Sequence, residues 1–254
     1  MRIPWFISVV VLALSGCRAP TPAPQVARVP VVREKQIFVV IDDAGLAAGE
    51  TEQYLDIPVP MTIAVLPHLK DTELVCRLVA RDRNKEIILH QPMEAYDANQ
   101  NPGQGAILST TRPAQVAAML DWNLSSVRGA VGMNNHMGSR ITENPDLMRE
   151  VLRYCRAHGL LFLDSKTAYN SVVPAVAAQE RVHLEQRDSF LDIEHDREYI
   201  RRMWSHAVAK ARDNGYVIVI GHAWSDETAA AIRESYQTLQ NQGYTFHRLS
   251  ELYR

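Results

Sequence analysis

Hydrophobic positions from Ile37 onwards fall into short apolar runs separated by longer amphipathic stretches. Runs rich in β-branched residues and bounded by turn residues are typical of strands buried on both faces. Apolar positions spaced three and four residues apart predict helices instead. The apolar runs predict strands over residues 37–41, 62–66, 86–90, 130–133, 160–163, 182–184, 216–220 and 244–247.

Helical patterns fill the intervals between these strands. Pro113 stands at one predicted helix start, and Gly159, Gly215 and Gly243 follow three helix ends, as the preferences of helix termini suggest. The alternation of strand and helix predicts parallel βαβ units and favours closure into a barrel. Helices are predicted over residues 71–83, 114–126, 145–158, 174–179, 197–214 and 226–242, with a long surface loop over 95–112.

The amino-terminal segment lacks this alternation. Residues 1–17 read MRIPWFISVVVLALSGC, in which the apolar run is too short to span a bilayer as a helix. The segment resembles the signal peptide and lipobox of bacterial lipoproteins, which implies that Cys17 is lipidated. Arg18 stands where an Asp tends to keep lipoproteins in the inner membrane, so the same resemblance favours the outer membrane.

Proline recurs through residues 18–35, which predicts an extended, semi-rigid tether. We therefore expect a folded domain over residues 36–254, held away from a membrane surface in the periplasm.

Composition narrows the possible functions. The chain has 254 residues, of which 46% are hydrophobic and 22% charged, so it can bury a substantial core. A formal net charge of −2 argues against a nucleic-acid-binding protein, which needs a basic face. Three cysteines exclude a disulfide scaffold, and Cys76 and Cys155 lie in helical patterns where cysteine is usually a small buried apolar residue.

Polar side chains gather where the predicted strands end. In a parallel barrel these ends meet at one mouth, where catalysis takes place. One Asp with two His is a known catalytic zinc arrangement, in which the metal activates water for attack on an acyl carbon. A further carboxylate could accept the proton, and a distant His could protonate the leaving amine. The candidates are Asp42, Asp43, His90, Asn134, Asn135, His136, Asp164, Arg187, Asp188 and His222.

Six segments carry a specific resemblance to a known family. They are IDDAG at 41–45, LHQPME at 89–94, NNHMGS at 134–139, LDSKT at 163–167, RDSFLD at 187–192 and IGH at 220–222. Their types and order resemble the divergent polysaccharide deacetylase family, a distant relative of the NodB-homology carbohydrate esterases, over about residues 36–250. The resemblance implies an α/β fold, a distorted (β/α) barrel of about seven parallel strands, with a metal-dependent deacetylase-like site.

The resemblance also implies residue roles. Asp42 would be the catalytic base, and Asp43 and His90 would bind the metal. His222 would be the general acid. Arg187 and Asp188 are expected to orient the base or the acid. Asn135 and Asp164 are expected beside the substrate or behind the metal ligands.

The second motif departs from the family pattern. The related esterases have His-x-x-x-His with both His on the metal, whereas this chain has Glu94 four residues after His90. Either Glu94 binds the metal or His136 replaces the missing ligand. We favour His136, because a nitrogen donor suits zinc, and we expect Glu94 beside the substrate.

The sequence thus predicts a lipid-anchored, metal-dependent carbohydrate N-deacetylase of the cell envelope. Its metal would be a divalent ion, with zinc favoured, and its substrate a glycan or another N-acylated compound. Two alternatives stay open: a non-catalytic glycan- or peptidoglycan-binding lipoprotein on the same fold, and a metal-dependent amidase acting on a non-sugar acyl amide. Trp224, near His222, could line a sugar subsite or only pack.

Overall fold

The computed structural model describes residue 1 and residues 34–253. Apart from residue 1, the predicted signal peptide over 1–17 with its predicted lipidation site Cys17, and nearly all of the predicted tether over 18–35, lie outside the described residues. Within the described residues, no helix combines the length and apolar character needed to cross a membrane.

Strands and helices alternate along the chain. The strands are β1 Lys35–Ala44, β2 Met61–Val65, β3 Lys85–Met93, β4 Ala130–Met137, β5 Leu161–Asp164, β6 Glu185–Gln186, β7 Ser189–Phe190, β8 Tyr216–His222 and β9 Tyr244–His247. The helices are α1 Ala48–Leu55, α2 Thr72–Val79, α3 Val116–Ser126, α4 Pro145–His158, α5 Val173–Glu180, α6 Arg197–Asn214 and α7 Asp226–Asn241. Short 3₁₀ turns cover Pro113–Gln115, Ile141–Glu143 and Leu249–Tyr253.

The strands form one curled parallel sheet. Its order is β6-β5-β4-β3-β2-β1-β8-β7, and β9 pairs with the amino-terminal half of β1. The two ends of this order, β6 and β7, are joined directly through Arg187 and Asp188, whose N–H groups bond to Asp164 of β5 and Ile218 of β8. This seam gives the distorted (β/α) barrel that the sequence predicted, and the fold class is confirmed.

The described part of the sheet has nine strands, a minor difference from the expected number of about seven. One predicted strand is misplaced: residues 182–184 form no strand, because the short β6 begins at Glu185. Helix α1 was not predicted. Its sequence AGETEQYL buries only Thr51 and Tyr54, so it lacks the apolar periodicity that reveals an amphipathic helix.

The sheet separates two apolar layers. Side chains alternate along β1, so that Ile37, Val39 and Ile41 pack toward the helices while Phe38 and Val40 fill the barrel interior. Leu249, in the final 3₁₀ turn, joins the interior cluster and helps to close the amino-terminal end of the barrel. The polar strand ends are therefore left at the opposite mouth.

Helix α4 follows its sequence signals closely. The Asn144 side chain accepts hydrogen bonds from the N–H groups of Asp146 and Leu147, Pro145 opens the first turn, and Gly159 ends the helix in the left-handed region at φ 65°. Cys155 lies on its buried face. Both Cys155 and Cys76 are free and buried, and burial raises the pKa of these thiols to about 12 and about 11 respectively.

Candidate metal and acid–base site

Four strands bring the polar residues together at the carboxyl end of the barrel. Asp42 and Asp43 lie on β1, His90 on β3, His136 on β4 and His222 on β8. Asp42 is paired directly with His222 across the neighbouring strands. Asp43 has φ 62°, a left-handed conformation that Asp tolerates better than most residues. The two adjacent carboxylates thereby reach different partners.

Asp43, His90 and His136 form a compact ligand triad. Asp43 Oδ1 lies 2.9 Å from His136 Nδ1 and 3.2 Å from His90 Nε2, and the two imidazole nitrogens are 3.1 Å apart. Among the described residues, these three side chains bring their ligand atoms close enough together to share a metal ion.

The triad fits a divalent metal by its chemistry. Asp43 Oδ1 is buried, yet no donor among the described residues reaches it with hydrogen-bond geometry. An orphaned buried carboxylate oxygen is costly unless a cation satisfies it. Two nitrogen donors and one carboxylate oxygen are the donor set of open catalytic zinc sites. Burial opposes ionisation of Asp43, but His136 and His90 hold its pKa well below the usual range.

Asp42 lies behind the triad and contributes no atom to it. Its carboxylate is buried, its Oδ1 accepts a hydrogen bond of 2.8 Å from Asn134 Nδ2, and its Oδ2 is 3.6 Å from His90 Nε2. Burial raises the pKa of Asp42, against the opposing influence of His90 and His222. A carboxylate held here, next to the ligands but not among them, is placed to accept a proton from a group at the triad.

His222 is held by a buried carboxylate that the sequence analysis did not single out. Its Nδ1 lies 2.7 Å from Asp192 Oδ1, and its backbone N–H donates to Asp192 Oδ2 over 2.9 Å. Thr228 also donates to Asp192. Burial favours the neutral imidazole, but the hydrogen bond and charge of Asp192 prevail and raise the pKa of His222 to about 9. A protonated His222 at neutral pH suits a general acid.

Aromatic rings fix the plane of His222. Phe190 and Trp224 stack on it with ring centroids 5.6 Å and 5.1 Å away, and His195 stacks on Trp224. Trp224 Nε1 also donates a long hydrogen bond of 3.4 Å to Asp43 Oδ2. Trp224 thus packs against the candidate acid and touches a candidate metal ligand.

Arg187 does not orient the base as expected. Its guanidinium donates to the backbone carbonyls of Ser165 at 2.7 Å and Lys166 at 3.1 Å, and it lies over the Phe190 ring. Its hydrogen bonds therefore go to loop carbonyls, and it acts on Asp42 through charge rather than through a hydrogen bond. Asn134 is the side chain that bonds to Asp42.

Asp188 is also placed differently from the expectation. One of its oxygens accepts from the Ile218 N–H, and the other pairs with Lys210. Asp192, four residues later, is the carboxylate that contacts the candidate acid His222, whereas Arg187 and Asp188 were expected to orient the base or the acid. The short strand β7 gives too few alternating positions to show which of the two acids turns inward.

Glu94 does not join the triad. It forms an ion pair of 3.1 Å with Arg140 and accepts from the Ser109 N–H, which lowers its pKa. These contacts tie the long loop after β3 to the segment after β4. The side chains that lie close enough to share a metal include His136 and not Glu94, and the choice of His136 as the third ligand stays a prediction.

Asn135 and Asp164 support loops behind the mouth. Asn135 Oδ1 accepts from the Ser165 N–H, and Asp164 accepts from the Lys166 N–H and from Gln186 Nε2. These contacts hold loops rather than the ligand triad, so the expected place of Asn135 and Asp164 beside the substrate or behind the metal ligands stays a prediction.

One residue of the site, Asp192, was missed in the sequence, and Asn134 was a candidate without an assigned role. A signal for that role was present, since Asn134 and His136 are two apart on a strand and share a face. Asp192 lay within a segment that carried the family resemblance, but nothing in the sequence separated it from Asp188.

The chain is similar in sequence to a protein family and to two bacterial proteins. A family model described as divergent polysaccharide deacetylase matches residues 39–253. An uncharacterized protein of Haemophilus influenzae is 31% identical over 189 residues, and the uncharacterized protein YibQ of Escherichia coli K12 is 32% identical over 199 residues. These matches cover 74% and 76% of this chain but only 67% and 60% of the relatives, which extend beyond the shared region.

Solved structures share the fold at lower identity. An uncharacterized protein from Agrobacterium tumefaciens C58 superposes with a TM-score of 0.81 at 24% identity, covering 87% of this chain and 89% of that one. A peptidoglycan N-acetylglucosamine deacetylase domain from Eubacterium rectale has a TM-score of 0.52 at 16% identity, covering 92% and 93%. A CE4 family pseudoenzyme from Bacillus anthracis has a TM-score of 0.52 at 13% identity, covering 87% and 66%.

Proposed function

The chain belongs to the divergent polysaccharide deacetylase family, and from this premise we propose that it is a metal-dependent N-deacetylase acting on a glycan. The observation that carries the proposal is the convergence of Asp43, His90 and His136 beside two further groups, Asp42 and His222, suited to proton transfer. A protein that only bound glycans would have no need of an acid and a base flanking such a triad.

The proposed mechanism divides the work among these residues. Asp43, His90 and His136 would hold the metal, and zinc is favoured because two of the donors are imidazole nitrogens. When bound, a zinc ion supplies Lewis acidity, which polarises an acyl carbonyl and lowers the pKa of water. Asp42 accepts the proton of the attacking water, and His222, held protonated by Asp192, gives a proton to the departing amine.

The proposed substrate is an N-acylated sugar of the cell envelope. The fold neighbour named as a peptidoglycan N-acetylglucosamine deacetylase supports this class, although its 16% identity shows the fold alone. The proposed location is the periplasm, with the protein attached to the outer membrane through Cys17, and it rests on the sequence of residues 1–17. We expect Cys17→Ser to release the protein from the membrane fraction into the soluble periplasm, and unchanged membrane association would refute the anchor.

The test of the function combines metal analysis with acetate release. The full chain, purified in detergent, should hold one zinc ion and release acetate from N-acetylglucosamine oligomers or peptidoglycan fragments. Asp42→Asn should retain zinc and lose activity by about 10²- to 10⁴-fold, the usual contribution of general acid–base catalysis. Lack of stoichiometric zinc in the wild-type protein would refute the proposal.

The two alternatives are distinct outcomes of the same experiment. Binding of glycan fragments without acetate release, and unchanged in Asp42→Asn, would identify a non-catalytic glycan-binding protein. Release of acyl groups from simple acyl amides but from no sugar would identify an amidase of another substrate class.

A further inference from the structure

Asn134 is a fully buried side chain in the middle of the candidate site. It lies on β4, paired directly with His90 on β3, two residues before His136 on the same face of the strand. Neither the family resemblance nor the candidate roles assigned from the sequence give it a function. Its side-chain amide nevertheless contacts both the candidate base and a candidate metal ligand.

The polarity of each contact is fixed by its partner. Asn134 Nδ2 lies 2.8 Å from Asp42 Oδ1, and an ionised carboxylate only accepts hydrogen bonds. The NH₂ end of the amide must therefore face Asp42, and the same Nδ2 also donates to Ser165 Oγ over 3.2 Å. The carbonyl end, Oδ1, is then left to face His90 Nδ1 at 2.7 Å.

This orientation determines the tautomer of His90. Because Asn134 Oδ1 can only accept, His90 Nδ1 must carry the proton. His90 Nε2 is then free of a proton in the neutral imidazole, and this is the nitrogen that faces Asp43 and His136. Metal-ligating histidines are commonly fixed in this way by a partner on the other ring nitrogen.

We propose that Asn134 is a positioning residue with two roles. Its carbonyl fixes His90 as a metal ligand, and its NH₂ group anchors the base Asp42. This inference rests on the proposed function. It also explains why an amide stands here. A carboxylate could accept from His90 but would repel Asp42, and a cationic side chain could donate to Asp42 but would offer His90 no acceptor.

Two substitutions at position 134 separate the role toward His90 from the role toward Asp42. Asn134→Asp keeps an acceptor for His90 and adds negative charge near the metal, but it replaces the donor to Asp42 with a repelling oxygen. We expect zinc affinity equal to or tighter than that of the wild type, with kcat lowered about 100-fold and KM nearly unchanged. Asn134→Ala removes both contacts. We expect zinc affinity to fall by about 10- to 100-fold, and kcat to fall as well.

Asn123→Ala is the matched control, because it also deletes a fully buried amide, but one on α3 that bonds to Gln91, Gly105 and His68. It should lower the unfolding free energy while leaving zinc affinity within about threefold of wild type, well short of the loss expected for a partner of a metal ligand. Zinc affinity is measured by competition with a chelator, and folding by circular dichroism. If Asn134→Asp does not fold, the ranking of Asn134→Ala against Asn123→Ala still decides the role toward His90.

The inference is supported if zinc binding is strongest in Asn134→Asp and weakest in Asn134→Ala while turnover is low in both variants. Equal loss of zinc in Asn134→Asp and Asn134→Ala would overturn it, as would full turnover in Asn134→Asp. The zinc ranking does not depend on turnover. If the wild type binds zinc but releases no acetate from any substrate, the proposed function fails while Asn134 is still tested.

Discussion

The two ends of the barrel both bury charged side chains, but they satisfy them differently. At the amino-terminal end, Lys85 Nζ donates to the carbonyls of Ile57 and Val59 and lies 3.3 Å from Asp82. At the carboxyl end, Asp43 Oδ1 has no hydrogen-bond donor of suitable geometry among the described residues, and two imidazole nitrogens converge on it. Burial of charge is thus common to both ends, and only one end leaves ligand atoms unsatisfied.

This difference separates a structural role from a functional one. A buried charge that has all its hydrogen-bond and ionic partners stabilises one geometry of the fold. Electron-rich ligand atoms that are held close together repel one another, and a bound cation would offset that unfavourable energy. Perturbed titratable groups alone do not mark an active site, since structural networks perturb them too. If the two ends are independent, a substitution at the amino-terminal end changes stability without changing zinc affinity at the carboxyl end.

The largest effect is expected at the triad. Asp43→Asn keeps the shape of the side chain, and Asn tolerates the left-handed backbone at this position. It removes the anionic ligand, so we expect zinc affinity to fall by about 1,000-fold, beyond the 10- to 100-fold typical of partners behind the ligands. Chelator competition measures this change. An affinity within about threefold of wild type would show that Asp43 is no ligand.

The next effect concerns His222 and its partner. The pKa of His222 is about 9 in the folded protein and about 6.5 when unfolded, so its protonation stabilises the fold fully below pH 6.5. This contribution, about 3 kcal/mol, is lost as the pH rises through 9. In metal-free protein, Asp192→Asn should remove most of that decline. Urea unfolding between pH 6 and pH 10 measures it, and parallel curves for the two proteins would contradict the pairing.

A smaller effect is expected at the amino-terminal end. Lys85→Met should lower the unfolding free energy by about 2 kcal/mol, because the carbonyls of Ile57 and Val59 lose their donor. Zinc affinity should not change. Arg81→Met, an exposed neighbour, is the control and should shift stability by less than about 0.5 kcal/mol. A loss of zinc in Lys85→Met would mean that the two ends are coupled.

The smallest effect is expected for Asp188→Asn. The amide oxygen can still accept from Ile218, and the lost partner Lys210 is half exposed, so the cost should be below about 1 kcal/mol. The pH dependence of unfolding that Asp192→Asn alters should stay as in the wild type. If the unfolding free energy of Asp188→Asn depends less on pH than that of the wild type, Asp188 rather than Asp192 is the partner of His222.

Much of the fold could be predicted because the strands are buried on both faces. The run Ile37–Ile41 is uniformly apolar for that reason, and Asn144 with Pro145 marked a helix start. Helix α1 could not be predicted, since its stability comes from contacts such as those of Tyr54 with the backbone of His222 and Ser225 rather than from its own periodicity.

The site could be predicted only where residue type and strand position agreed. Asp43, His90 and His136 follow buried strands, and the structure brings them together. The roles of Asn134 and Asp192 were missed because they depend on contacts with residues distant in sequence, His90 and His222. Arg187 and Asp188 lie in the seam of the barrel, where β6 and β7 are too short for alternation to indicate direction.

The central claim is that His136, and not Glu94, completes the metal site, and zinc affinity measured side by side in two variants tests it most directly. We predict that the wild type binds one zinc ion, that His136→Ala weakens binding by at least about 100-fold, and that Glu94→Gln, which loses only contacts to Arg140 and Ser109, stays within about twofold of wild type. Loss of zinc in Glu94→Gln with full binding in His136→Ala would contradict the account.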